Sequence, residues 1–506
     1  MYLYRINMML RRGILFCLIL FRCFFLQAQA ASHVLESSSP QDITFDVNAV
    51  SASRSVYGIP VHEDNDGKKH YLTAFSGMLL SEGIIHGWSR FVVGAGWAKV
   101  SVDSLLDWRR ELEFDDDWVW TNFVLHPFQG SLYYMAARNA NLNRIESLGV
   151  TALGDFIWEW FAETTSPSIN DLLYSFAGGF AVGEMMYRLS LEAEQISGFF
   201  GYAVNPMRIW TDPLTRTKPR GTVGNIHKIS LKYKVGTVRT YSYSGYDTVQ
   251  SPAEHFPLFL SPDISIIYND PYGHDSNDPF SQFDFRFAVG LGAGSGRWRG
   301  MVSEEQHVMY DIFLSSNGML FARALDVDSN KDTTVGMALD YDVRWQSLID
   351  IASLAPGFAI KQRIRRLSNT VEWQLHLDWN LLGITDYYYF HRAPDSNMMG
   401  ARRDYSYMVG PEVVFQWNWM NKKGFLFENI VHAYAGYDFA FQTQTNQSTG
   451  WEYIGMWEMN FELPLPKELF LGLGTTVYLK YARYESVDDV FQHAYFANFY
   501  LKRQLH

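Results

Sequence analysis

From about residue 225 onward, apolar and polar positions alternate with a period of two, the signature of strands with two unlike faces. In "VEWQLHLDWN", Val371, Trp373, Leu375, Leu377 and Trp379 oppose Glu372, Gln374, His376, Asp378 and Asn380. Phe283, Phe285, Phe287, Val289 and Leu291 oppose Asp284 and Arg286, and Val335 to Trp345 oppose Asp340, Asp342 and Arg344. The pattern returns at Val413 to Trp419, Val431 to Phe441 and Trp451 to Phe461, with weaker copies starting near Ile229, Ile264, Val308, Phe358, Leu469 and Phe491. Sandwich strands in water tend to be shorter. Here long runs carry aromatics toward their ends, and segments such as "QTQTNQSTG" between them are polar and turn-forming. That combination predicts a lipid-facing wall with aromatic girdles and a polar interior. At roughly 20 to 25 residues per strand and connection, residues 225–506 predict a transmembrane β-barrel of about 12 antiparallel strands.

Residues 71–200 follow a helical period instead. "YLTAFSGMLLSEGIIHGWSRFVVG" and "SVDSLLDWRREL" are spaced as helices, and three more are predicted near 129–139, 145–162 and 169–189. "PSIND" supplies Ser168 as an N-cap with Asp171 three residues later. Ser175, Gly179 and Gly183 make a small-residue face, as do Ser147, Thr151 and Gly154, so these two helices are expected to pack closely on each other. Their uncharged runs are too short for spanning helices, which places the block in the barrel lumen as a plug or at its periplasmic mouth. The fold class is thus an all-β transmembrane barrel preceded by an apolar α-helical domain, with linkers at 31–70 and 201–224.

The first thirty residues add a destination. Arg5, Arg11 and Arg12 precede an apolar run broken only by Arg22, ending in Ala28-Gln29-Ala30, the order of a cleaved secretory signal. Both cysteines, Cys17 and Cys23, lie inside it, so no disulfide framework is expected in the exported chain. Removing four arginines leaves 42 − 4 = 38 basic against 54 acidic residues, a balance that implies no nucleic-acid partner. The expected location is the bacterial outer membrane, with the bilayer and the outer-membrane assembly machinery as partners. The end "FYLKRQLH" departs from the terminal aromatic residue of many bacterial barrels.

"WTNFVLHPFQGSLYYMAARN", "IWEWFAE", "PSINDLLYSFAGGFAVGE" and "YRLS" together resemble an uncharacterised bacterial family, domain of unknown function 3943, over roughly residues 85–195. The resemblance implies an envelope protein and transfers no catalytic residues.

Candidate chemistry concentrates in the same block. His126, Glu159 and Asp171 are the candidates for an acid/base site, within a wider polar set of Gln129, Arg138, Asn139, Asp155, Glu163, Ser168, Asn170, Glu184 and Arg188. The competing reading is a buried network that only cross-links helices. "VGLGAGSG" has no helix after it and so is no phosphate loop. Asp326, Asp328, Asn330 and Asp332 have calcium-loop spacing, but Lys331 stands where such a loop needs glycine. No cofactor is expected. The leading functional class is a barrel that binds or conducts small or lipidic solutes. A lipid-modifying envelope enzyme and a purely structural protein are the alternatives.

Overall fold

The computed structural model describes residues 58–505 apart from 108–109, 116, 245–253, 274, 296–305, 329, 347–348, 390–404 and 439–447. The expected leader and residues 31–57 lie outside them. Twelve antiparallel strands close into a barrel. In chain order after a short ribbon of β1 (Ile59–Val61) and β2 (Gly221–Val223) they are β3 (Ile226–Ser244), β4 (Glu254–Tyr268), β5 (Phe283–Ser295), β6 (Gln306–Val327), β7 (Lys331–Gln346) and β8 (Asp350–Arg366). The circuit continues through β9 (Asn369–Asp386), β10 (Tyr405–Asn421), β11 (Leu426–Asp438), β12 (Gly450–Leu465), β13 (Leu469–Tyr484) and β14 (Val490–Gln504). Closure is made by β14 on β3, in register from Val490 opposite Ser244 to Gln504 opposite Ser230. The strand number and the alternation therefore agree with expectation.

Polar side chains of the alternating strands face the lumen and meet across it. Arg286 on β5 donates to Glu458 on β12 at 3.0 Å, and Lys480 on β13 donates to Thr385 on β9 at 2.8 Å. The Arg344 guanidinium of β7 lies over the Phe496 ring of β14, 4.9 Å from its centroid. A set of lumenal apolar side chains, including Tyr434, Ile454, Met456 and Phe496, packs between these levels. At these levels the charges taken from water find partners, as burial demands.

Among the described residues seven helices precede the barrel. The first, α1, is α-helical over Tyr71–Gly87 and continues with π geometry over Trp88–Val93. A short α2 spans Val102–Leu106. In α3 the π segment comes first, Thr121–Leu125, followed by His126–Asn139. In α4 it comes last, Arg144–Ile157 and then Trp158–Ala162. The longest, α5, runs Ile169–Leu173, π-helical Tyr174–Gly178 and Gly179–Ile196. Two short helices, α6 (Gly198–Val204) and α7 (Arg208–Thr215), occupy much of the segment expected to be a linker.

None of the described helices enters the lumen. Val119, Phe123, Tyr174, Ala181 and Met185 share one apolar core with Tyr268, Phe283, Leu339, Tyr341, Val343, Leu354, Ile384 and Tyr405. On β7 these residues alternate with the lumenal Asp340, Asp342 and Arg344, so the side chains that meet the helices point out of the barrel. The expected plug is corrected to a block docked on the outer wall of β4–β10. The reason is chemical: the lumen face is charged and already crossed by side chains, whereas the wall offers rings and branched aliphatics that an apolar helix can cover.

Helix packing also differs from the spacing argument. The small face of α5 meets α3 rather than α4. A Cβ on Gly130 would lie 1.8 Å from the Ser175 carbonyl oxygen, and one on Gly179 would lie 2.7 Å from the backbone of Gly130. Both positions require glycine. Gly154 of α4 instead accommodates Tyr133 and Met78.

Among the described residues no single helix is long and apolar enough to cross a membrane. The block nevertheless has inverted polarity. Ile84, Phe91, Phe128, Phe156 and Phe176 are exposed, while Asn122, Ser147, Thr151, Asp155, Glu159, Asp171 and Glu184 are buried.

Candidate functional site

The four segments of π-helix among the described residues are unusual, since such turns are rare and tend to mark functional sites. Three of them deliver one cluster. His126 follows directly on the π segment of α3, Glu159 lies within that of α4, and Asp171 precedes that of α5, which also carries Ser175. One donor atom from each of His126, Glu159 and Asp171 lies within 4.8 Å of the others, and all three side chains are buried.

The imidazole is held on both sides, Nε2 at 3.4 Å from Asp171 Oδ2 and Nδ1 at 3.3 Å from Ser175 Oγ. Glu159 Oε2 accepts the Ser168 backbone N–H at 2.7 Å, while its Oε1 has no partner. Ser168 caps α5 through the Asp171 N–H, as the "PSIND" stretch predicts. Asn170 is the hub: its amide donates to Asp171 Oδ1 at 2.8 Å and to Asp115 Oδ1 at 2.9 Å. Asn122 donates to the same Asp115 oxygen at 2.7 Å.

Among the described residues, no Lys or Arg pairs with Asp115, Asp155, Glu159 or Asp171. The nearby Arg110 is spent on main-chain carbonyls, including those of Trp160 at 2.5 Å and Glu163 at 3.0 Å. Burial without a cation favours neutral forms. It pushes Asp171 well above the usual carboxylate range, with Asp115 and Glu159 adding repulsion. Glu159 and Asp155 are likewise raised by burial, and Glu163 is raised to about 7. Burial lowers His126 to about 4 against the pull of Asp115. The cluster thus presents a neutral imidazole beside protonated acids, a donor–acceptor array suited to proton transfer or to a polar ligand group. With its carboxylates ionised, the same donors would hold a divalent cation, since two carboxylates and an imidazole make a three-ligand set.

The opposite end of the block is built differently. Arg138, Arg144 and Arg188 converge on the buried Glu184 at 3.0, 3.2 and 3.0 Å. Burial would raise Glu184, but the three guanidinium groups hold it at about 2. Arg144 and Arg188 also reach Asp278 in the β4–β5 connection, at 2.5 and 2.8 Å. Arg138, Glu184 and Arg188 therefore form a fastening and are not part of the acidic cluster.

Other sequence candidates sit at its edge or elsewhere. Gln129 donates to Tyr133 at 2.5 Å, and Asn139 exchanges amide bonds with Asn205. Asp326 pairs with Lys331 at 2.8 Å, Asp328 caps its own turn through the N–H groups of Asn330 and Lys331, and Asp332 is gripped by Arg363 and Arg365. One oxygen of each carboxylate is thus already engaged within the chain. Asp115 escaped sequence reading inside the acidic run "EFDDDW", and Ser175 looked like a packing residue.

The fold and this cluster define a closed twelve-stranded barrel carrying a helical block on its wall. Residues 111–207, which hold the whole cluster, match the model of the family described as "Domain of unknown function (DUF3943)". No curated protein matches. Similar solved structures include the Pseudomonas putida toluene transporter TodX, at 7% identity over 54% of this chain and 88% of that one with a TM-score of 0.23. A Pseudomonas aeruginosa FadL homologue shows 9% identity over 60% of this chain and 94% of that one, TM-score 0.21. The transport unit of the Escherichia coli autotransporter AIDA-I shows 7% identity over 55% and 90%, TM-score 0.23.

Proposed function

We propose that this is a bacterial outer-membrane barrel protein, exported by its leader and inserted by the outer-membrane assembly machinery, that binds small hydrophobic or lipidic solutes at its helical block. The observation that carries the reading is the inverted polarity of the block. Its apolar exterior turns to the bilayer beside the barrel wall, and its polar interior ends at His126, Glu159 and Asp171. A ligand with an apolar body and a polar head matches that arrangement, head toward the neutral imidazole and acids, body toward lipid. The exposed aliphatic and aromatic belt on the remaining strands, with Trp451, Leu473, Tyr495 and Phe499, supports the bilayer setting.

The lumen is less suited to the task, because side chains from facing strands touch across it at several levels. The test is photolabelling in bilayer discs with a fatty acid carrying a diazirine near its carboxyl group. Labels concentrated in residues 120–180, and reduced by His126→Ala in protein that keeps its heat-modifiable barrel, support the reading. Labels spread evenly over the outer strands, or confined to lumenal residues, would overturn it. A lipid-modifying enzyme would share this site and add turnover of the bound lipid.

A further inference from the structure

The lumen contains a second concentration of chemistry unrelated to the helical site. Six side chains from four strands meet there: Asp340 and Asp342 of β7, His376 and Asp378 of β9, Glu412 of β10 and His432 of β11. They fall into two triads, Asp340–His376–Asp378 and Asp342–Glu412–His432, and in each triad one donor atom from every member lies within 4.8 Å of the others. The strand register brings this about, because Glu412 stands opposite Asp378 and both histidines stand opposite Val414.

Two independent features point to a ligand. His376 Nδ1 is 2.7 Å from Asp340 Oδ2, which fixes the ring, yet its Nε2 has no partner although the residue is only 1% exposed. A buried ring nitrogen without a partner is capacity that the chain itself does not use, and Nδ1 facing Asp340 Oδ2 is a pair of donors that an ion can take up between them. Second, neither oxygen of Asp378, itself 5% exposed, has a hydrogen-bond donor. Three other lumenal acids of this barrel are paired, Asp263 and Glu458 with Arg286 and Asp311 with Arg344. Here no Lys or Arg pairs with the four acids among the described residues. Gly357 makes the room: a Cβ there would lie 2.0 Å from Asp378 Oδ1.

We infer that the lumen binds divalent first-row transition metal ions at these triads, each supplying two carboxylates and one imidazole and leaving a position open for water. Imidazole donors favour zinc, copper, iron or nickel over calcium and magnesium.

The test uses the full chain in detergent with His126→Ala as background, so that the helical cluster cannot supply an imidazole. After equilibrium dialysis against zinc, elemental analysis is expected to give two ions per chain, falling to one in Asp378→Asn and to none when His376→Gln and His432→Gln are combined. Zinc absorption fine structure on the background protein needs no lumenal variant, and is expected to show one imidazole and oxygen donors per ion. An unchanged ion count in the combined variant, or a spectrum without imidazole scattering, would overturn the assignment.

Discussion

The hydroxyl of Tyr174, in the π segment of α5, donates to the main-chain carbonyl of Leu382 on β9 at 2.5 Å. Tyr341 on β7 reciprocates by donating to the Phe123 carbonyl of α3. These two bonds cross the interface between helical block and wall in opposite directions, and both are buried. Removing either hydroxyl strands a carbonyl away from water. Tyr174→Phe is expected to weaken docking by about 1–2 kcal/mol. Protease access to α3 and α5 should rise while the barrel still migrates as a compact band; a simultaneous loss of that band would show that docking and closure are inseparable.

The contact between α3 and α5 leaves no volume for a methyl group at Gly130. Gly130→Ala must separate the two helices, at a cost of about 1–3 kcal/mol from overpacking. Gly149, with nothing within 4 Å of its would-be Cβ, is the control, and Gly149→Ala should be neutral or slightly stabilising. Equal denaturation midpoints for the two variants would contradict the close approach.

The two acidic centres of the block should respond oppositely to neutral isosteres. Glu184→Gln leaves three guanidinium groups facing a neutral amide and is expected to cost about 3 kcal/mol, because a broken buried pair strands its partners. Glu159→Gln replaces a group that burial already keeps protonated, so it should be near neutral in stability. Hydrogen exchange across 125–190 reads both, and a larger loss for Glu159→Gln would reverse the assignment of charge states.

Glu82 gives α1 a pH dependence of its own. Burial raises it from its ordinary 4.5 to about 8. Its neutral form is favoured in the folded state, so its contribution is fully present below about 4.5 and is lost as pH rises through about 8. The opening free energy of α1, from hydrogen exchange corrected for intrinsic rates, is expected to fall between about pH 5 and about pH 9, and Glu82→Gln should flatten the slope. An undiminished slope in Glu82→Gln would move the effect to another group.

Much of this architecture was legible because the information was local. A strand's face is written every second residue, so Val371 to Trp379 could be assigned to the outside and Glu372 to Asn380 to the inside before any pairing was known. The N-cap at Ser168 is equally local and was found. What escaped depends on which surface meets which. Periodicity marks Tyr341 and Val343 as outward-facing, but lipid and an apolar helix make the same demand on them, so nothing in the strand announces its cover. The convergence of His126, Glu159 and Asp171 was proposed from residue type alone. Their meeting depends on π turns that shift the helical phase by a fraction of a turn, which a regular period cannot foresee. The lumenal triads were overlooked because each member read simply as the polar half of an alternating strand.

The π segments and interior acids of the helical block bear on how such a chain can be delivered. Its lipid-compatible surface is assembled from short apolar stretches of α1, α3, α4 and α5, and no one of them is long and apolar enough to cross a membrane. On the proposed route of export, a translocation channel that samples one segment at a time would meet only marginal hydrophobicity and would have no reason to release the chain sideways. Greasiness here belongs to the folded assembly, acquired only when the acids turn inward and the rings turn outward against the barrel.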